Sequence, residues 1–229
     1  MGRRMTTGYE RPAHRCRENE LSNRAALTGP KLLVTGFGPF PGAPENPTEA
    51  LVQSLASMSP RHIGAGAVRA AVLPTDYRKS WSALRRLYAR FEPDIVVHFG
   101  LSGRARAVHV ERLACKRCNP ELPDAAGFAP ALGLARRFGP DSLTSTLPTE
   151  AILTALQQAE VPAAGSDDAG GYVCNATFYR SLLAARTGTL VGFIHVPPEG
   201  EAGFDAKRLA RAAELVVSRA SQVWRTARC

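Results

Sequence analysis

No stretch of this chain approaches the roughly 18 consecutive apolar residues that a membrane-spanning helix needs, so no membrane association is expected. The basic N-terminus, MGRRMTTGYERPAHRCRENE, has no apolar segment behind it. Neither a secretory signal nor twin-arginine export at Arg3-Arg4 is expected, which points to the cytoplasm. Aromatic residues are scarce, at 7%. The formal charge of +9 therefore lacks the interleaved aromatics of a nucleic-acid-binding stripe. Six of the 29 basic residues precede residue 25, and many others alternate with apolar positions at helical spacing, as in RRLYARF and DAKRLARAAELVVSRA. Such spacing marks solvated helix faces, and no specific nucleic-acid partner is expected.

Cysteines number five, an odd count spread over the chain, which suits free thiols better than a disulfide framework. Cys115 and Cys118 form CKRC, with no second pair and no His-x-His partner to complete a zinc site. They also lie at a strand end, not at the helix start that a thioredoxin-like motif requires. The segment TGFGPFPG lacks both the G-x-G-x-x-G spacing and the Walker lysine, so its support for a nucleotide loop is weak. No metal and no cofactor are expected.

What the chain does have is a regular alternation from Lys31 onward. Residues 1–29 are polar, arginine-rich and aperiodic, and read as a disordered extension, with Met5 or a later codon an alternative start. Residues 30–229 read as one domain, and 45% hydrophobic content is enough to fill its core. KLLVTGF, AVRAAVLP, PDIVVHFGLSG, AVHVERLAC and TLVGFIHVPP read as strands. NPTEALVQSLASM, with Pro47 in its first turn, and TDYRKSWSALRRLYARF, with Thr75 as N-cap, read as helices. So do PTEAILTALQQAE, YVCNATFYRSLLAAR and FDAKRLARAAELVVSRASQVW, while residues 116–147 read as a long functional loop. The pattern predicts a single α/β domain with a mainly parallel twisted sheet sandwiched by helices.

In such sheets ligands gather at the carboxyl ends of the strands. VTGFGPFPG leaves the first strand there, Glu111 lies on the strand after GLSG, and His195 closes GFIHV. Cys174 falls in the first turn of a helix, where aligned peptide dipoles and free N–H groups favour a thiolate. An imidazole supplies the general base and acid, and a carboxylate holds it in the right tautomer. Spacing alone leaves competitors open. His98 and His109 are further histidines on strands, and His98 reads as a satisfied core residue. His62 and His14 lie in polar, irregular surroundings. An unpaired cysteine such as Cys174 can equally be a small packing residue.

Four segments in order narrow these readings: VTGFGPFPGAPENPT, VHVERLACKR, SDDAGGYVCNATFYRSL and GFIHVPP. Together they resemble the pyroglutamyl peptidase I (pyrrolidone-carboxylate peptidase) family, cysteine peptidases of family C15, over about residues 31–225. The resemblance implies a phosphorylase/hydrolase-like α/β sandwich without cofactor, assembled as a homo-oligomer, tetramer or dimer. It implies removal of N-terminal pyroglutamate from peptides, with Cys174 as nucleophile, His195 as acid and base, and Glu111 as the group that orients His195. Phe37, Phe40, Asn46 and Val173 match positions that bind or organise the lactam ring. Read without the family, Phe37 and Phe40 are core residues and Asn46 a helix cap.

This chain departs from the family pattern at Pro41, Leu101, Val110 and the run RLACKRCNPELPD, where substrate preference is open. Two other readings stand beside the peptidase. One is a related amidase with the same triad acting on another small acyl group. The other is a non-catalytic basic binding protein on the same scaffold.

Overall fold

The computed structural model describes residues 29–130 and 139–228. The expected N-terminal extension, His14 and Cys16 lie outside these residues, as does part of the predicted loop 116–147. Five helices and eight strands are arranged as β1 (Lys31–Phe37), α1 (Pro47–Ser57), β2 (Ala67–Leu73), α2 (Lys79–Phe91), β3 (Ile95–Leu101), β4 (Val108–Glu111), β5 (Leu113–Cys115), β6 (Ser142–Thr144), α3 (Thr149–Gln158), β7 (Ala163–Ser166), α4 (Val173–Ala184), β8 (Leu190–Val196) and α5 (Ala206–Thr226) among the described residues. Six strands form the main sheet in the order β2-β1-β3-β8-β4-β7. The strands β2, β1, β3 and β8 run parallel, as the sequence predicts.

Alternation along each strand divides the side chains between two cores. Leu32, Val34, Ile95, Val97, Ile194 and Val196 face one side, where α1, α3 and α5 cover them. Leu33, Phe37, Val96, Val191 and Phe193 face the other, beneath α2 and α4. Helix α5 docks through Leu209, Ala213, Val216, Ala220 and Trp224, a stripe at three- and four-residue spacing. Asp205 accepts a hydrogen bond from the Arg208 N–H at 2.7 Å and starts this helix.

Four details differ from the sequence reading. Helix α2 begins at Lys79, and Thr75 is not its cap. Asp76 Oδ1 accepts from the Arg78 and Lys79 N–H groups instead, both at 2.8 Å, while the Thr75 hydroxyl is taken by the Gly38 carbonyl. The expected strand 107–115 is split at Arg112, with β5 leaving the main sheet to pair antiparallel with β6. The predicted loop thus contains a strand, and β7 is a further strand that weak apolar alternation in AAGS concealed. Finally, β4 runs antiparallel to β8 and parallel to β7. The link 102–107 is too short for the dozen or more residues of a parallel crossover, so it returns the chain down the sheet.

Candidate active site

Strand alternation places three chemically active residues under one helix. On β8, Phe193 and His195 face α4, and on β4 His109 and Glu111 face the same way. Cys174 is the second residue of α4, so its thiol points at the sheet from above. The register sets His109 opposite His195 and Glu111 opposite Phe193. Glu111 therefore approaches His195 diagonally from the neighbouring strand. Because β4 is antiparallel, Glu111 lies away from the carboxyl edge where the parallel strands end, yet the strand is short enough to keep it in reach.

Glu111 is almost fully buried, and its Oε1 lies 2.7 Å from His195 Nδ1. The second oxygen of Glu111, Oε2, has no hydrogen-bond partner among the described residues. Burial alone would push the His195 imidazole down. Hydrogen bonds to Cys174 and Glu111, and the negative charge of both, outweigh it and raise His195 from 6.5 to about 9. The raised value favours the protonated imidazole, held beside the buried Glu111 carboxylate.

Helix α4 has Tyr172 at its N-cap with no side-chain capping bond, and its first hydrogen-bonded N–H is that of Ala176. The N–H groups of Val173, Cys174 and Asn175 are left without intrahelical partners, as in any first turn, which makes this helix end favourable to negative charge. Asn175 is fully buried and joins this turn to β5. Its Oδ1 accepts from the Cys115 N–H at 2.8 Å, and its Nδ2 donates to the carbonyls of Cys115 and Arg117 at 2.7 and 3.0 Å.

Gly100, at the end of β3, was not singled out in the sequence. A Cβ there would stand 2.6 Å from Phe193 Cζ and 2.9 Å from Cys174 Sγ, so glycine makes room for the thiol. Glycine inside a strand is the signal that marks such a close approach. Gly100→Ala is expected to lower kcat by ~100-fold through displacement of the sulfur and stability by about 1–3 kcal/mol through overpacking. Steady-state rates and thermal unfolding test this, and an alanine variant with wild-type kcat would refute it.

Cys174, His195 and Glu111 open on a cavity of about 700 Å³, which Phe40, Leu101 and Tyr172 also line. The Phe40 and Tyr172 rings lie 6.0 Å apart at 50°, on the same cavity as Cys174. Tyr172 went unnoticed in the sequence; its place two residues before Cys174 was the available signal. The Tyr172 hydroxyl donates to the Pro123 carbonyl at 3.3 Å and stands edge-on to Tyr77. The other matched residues lie behind this surface. Phe37 is 2% exposed and packs 6.2 Å from the Phe193 ring, and Val173 is fully buried. Asn46 caps α1 by accepting from the Thr48 N–H at 3.2 Å, and its Nδ2 donates to the Gly38 carbonyl at 3.2 Å. That second bond tethers the loop carrying Phe40.

The loop Asp167–Tyr172 that leads into α4 is held from outside. Arg112 makes two hydrogen bonds to Asp167, at 2.8 and 2.7 Å, and Arg117 pairs with Asp168 at 2.7 Å. His98 is a fully buried core residue, as expected. Its Nδ1 lies 2.6 Å from Thr35 Oγ1 and its Nε2 2.9 Å from Ser181 Oγ, and burial lowers it to about 3. His62 pairs with Glu214 at 3.0 Å, far from the cavity. Cys115, Cys118 and Cys174 are free thiols, and among the described residues no group of three or more His, Cys, Asp or Glu converges as metal ligands.

A mostly parallel α/β sheet that brings a helix-start thiol, an imidazole and a buried carboxylate to one cavity has the residue types of a cysteine hydrolase. The sequence profile described as pyroglutamyl peptidase matches residues 30–210. The chain is 36% identical over 181 residues to the pyrrolidone-carboxylate peptidase of Clavibacter michiganensis subsp. michiganensis, covering 78% of this chain and 84% of that protein. It is 36% identical over 190 residues to that of Thermococcus onnurineus, covering 82% and 93%. The crystal structure of pyroglutamyl peptidase I from Bacillus amyloliquefaciens superimposes with a TM-score of 0.76 at 28% identity, over 84% of this chain and 97% of that one. The pyrrolidone carboxyl peptidase of Thermus thermophilus gives 0.75 at 32% identity, over 82% and 99%. The chain belongs to the pyroglutamyl peptidase family.

Proposed function

We propose that Cys174, His195 and Glu111 carry out the family's reaction, removal of N-terminal pyroglutamate from peptides, as nucleophile, acid–base and orienting group. The observation that supports these roles above others is His195, which lies 2.7 Å from the buried Glu111 on one side and lines the same cavity as Cys174 on the other. The Cys174 thiolate attacks the pyroglutamyl carbonyl carbon, and the electron pair moves onto oxygen, facing the free N–H groups of the α4 first turn. As the intermediate collapses, the C–N bond breaks and the His195 imidazolium gives its proton to the departing amine. A thioester remains. Neutral His195 then takes a proton from water, whose oxygen displaces the sulfur, releasing pyroglutamate and restoring the ion pair.

The lactam is flat and uncharged, which suits an apolar slot whose wall Phe40 and Tyr172 form together beside Cys174. Phe37 and Val173 support that slot from behind, and Asn46 holds its loop. Catalysis resides in residues 30–229. Three free thiols among the described residues suit the cytoplasm, where we place the protein. No described helix is long and apolar enough to cross a membrane. A homo-oligomeric assembly follows from the family resemblance.

Release of the chromophore from a pyroglutamyl arylamide, with prolyl and acetyl arylamides as controls, tests the acyl group. Turnover confined to the pyroglutamyl compound is expected. Hydrolysis of the others alone would assign the site to an amidase of different specificity.

A further inference from the structure

The catalytic cavity has two unlike ends. Phe40 and Tyr172 close the acyl end beside Cys174. The departing amine takes its proton at His195, so the peptide beyond the scissile bond runs out over the carboxyl end of β8. The link 102–107 crosses that same end. Its Ser102 N–H donates to the Val196 carbonyl, and the Ala105 N–H donates to the Ser102 carbonyl, both at 3.0 Å. These bonds fold the link into a tight turn that sets Arg104 in the cavity wall.

The arginines that follow it along the chain are occupied. Arg106 pairs with Glu201, Arg112 with Asp167 and Arg117 with Asp168. Arg104 makes no ion pair among the described residues. Asp168 lines the same cavity but already holds Arg117 at 2.7 Å, and His109 faces the cavity from β4. A five-membered lactam fills a small part of about 700 Å³, leaving room for further residues.

We infer, given the pyroglutamyl reading of the same site, that Arg104 binds a carboxylate of the leaving peptide. The substrate class so selected is short pyroglutamyl peptides with a free C-terminus. A guanidinium presents two parallel N–H donors that match a carboxylate, and Arg104 is exposed at the cavity edge where a peptide end can reach it. The binding acts on the ground state and the transition state alike, so it enters KM more than kcat.

The test compares pyroglutamyl-Ala-Ala as free acid and as C-terminal amide, with wild type, R104Q and R104K. Wild type is expected to favour the acid by about two- to fivefold in kcat/KM, the scale of an exposed ion pair. The preference should shrink in 0.5 M NaCl, survive in part in R104K and vanish in R104Q. A third substrate, pyroglutamyl-Ala-Asp amide, identifies the source of the carboxylate. Recovery of the lost rate by its side chain, abolished in R104Q, would keep Arg104 as the carboxylate reader but overturn the free C-terminus as what it reads. Equal kcat/KM for acid and amide in wild type, or R104Q depressing both by the same factor, would overturn the role of Arg104. No turnover of either substrate by folded wild type would instead overturn the pyroglutamyl reading.

Discussion

Cys174→Ala is expected to abolish pyroglutamyl arylamide hydrolysis, lowering kcat by ~10⁴-fold or more, the scale seen when a covalent nucleophile is removed. Cys174 is half-buried, and losing only its sulfur leaves the packing of α4 on Phe193 in place. Thermal unfolding should therefore change little while activity disappears. The same residue should react first with iodoacetamide near neutral pH. Cys118 is the internal control, since burial, only partly offset by the Arg180 charge and a bond to Tyr77, pushes its thiol up to about 11. If the alanine variant retained turnover, or if Cys118 were alkylated before Cys174, the nucleophile would be assigned wrongly.

Glu111→Gln is expected to lower kcat by ~10²- to 10⁴-fold and to move the alkaline side of the pH profile. In the wild type, burial pulls His195 down, but the bonds and charges of Cys174 and Glu111 raise it to about 9. The protonated form is the one that donates to the leaving amine, so activity should persist through neutral pH and fall as pH rises through about 9. In acid it should fall again as the coupled Cys174–His195 pair takes up a further proton, giving a bell. The amide of the Glu111→Gln variant would keep a hydrogen bond but remove the charge that opposes burial. The alkaline limb should then shift downward from about 9, by part of the rise only, because the contribution of Cys174 remains. The unpartnered Oε2 adds to this effect, because His195 is the side chain that balances the buried carboxylate. A Glu111→Gln profile superimposed on that of the wild type would show that Glu111 does not set the charge of His195.

The loop Asp167–Tyr172 illustrates where sequence reading stops. The stretch SDDAGGYVCN announces a glycine-rich approach to a helix start, and Cys174 is found there. Nothing local announces that Asp167 and Asp168 are held by Arg112 and Arg117, which lie 55 and 51 residues earlier. Nor does it reveal that Asn175 clamps the CKRC strand, or that Gly100 is cut back for the Cys174 sulfur. Thr75 lost the cap of α2 to Asp76 because a distant carbonyl, Gly38, claimed its hydroxyl. Phe37 and Phe40 are both apolar residues of one motif, and only their position in the fold sends one into the core and the other to the cavity.

The sequence by itself determined the α/β class, the parallel strands β1, β3 and β8, the helix start at Cys174 and the three residue types needed for acyl transfer. These follow from periodicity and from short motifs, which are properties of neighbouring residues along the chain. Tertiary structure alone decided that β4 enters antiparallel, that Glu111 meets His195 across a strand boundary, and that Arg104 lines the same cavity as Cys174. Those depend on strand order and on which face each side chain takes, and sheet neighbours are chosen by packing across the whole domain.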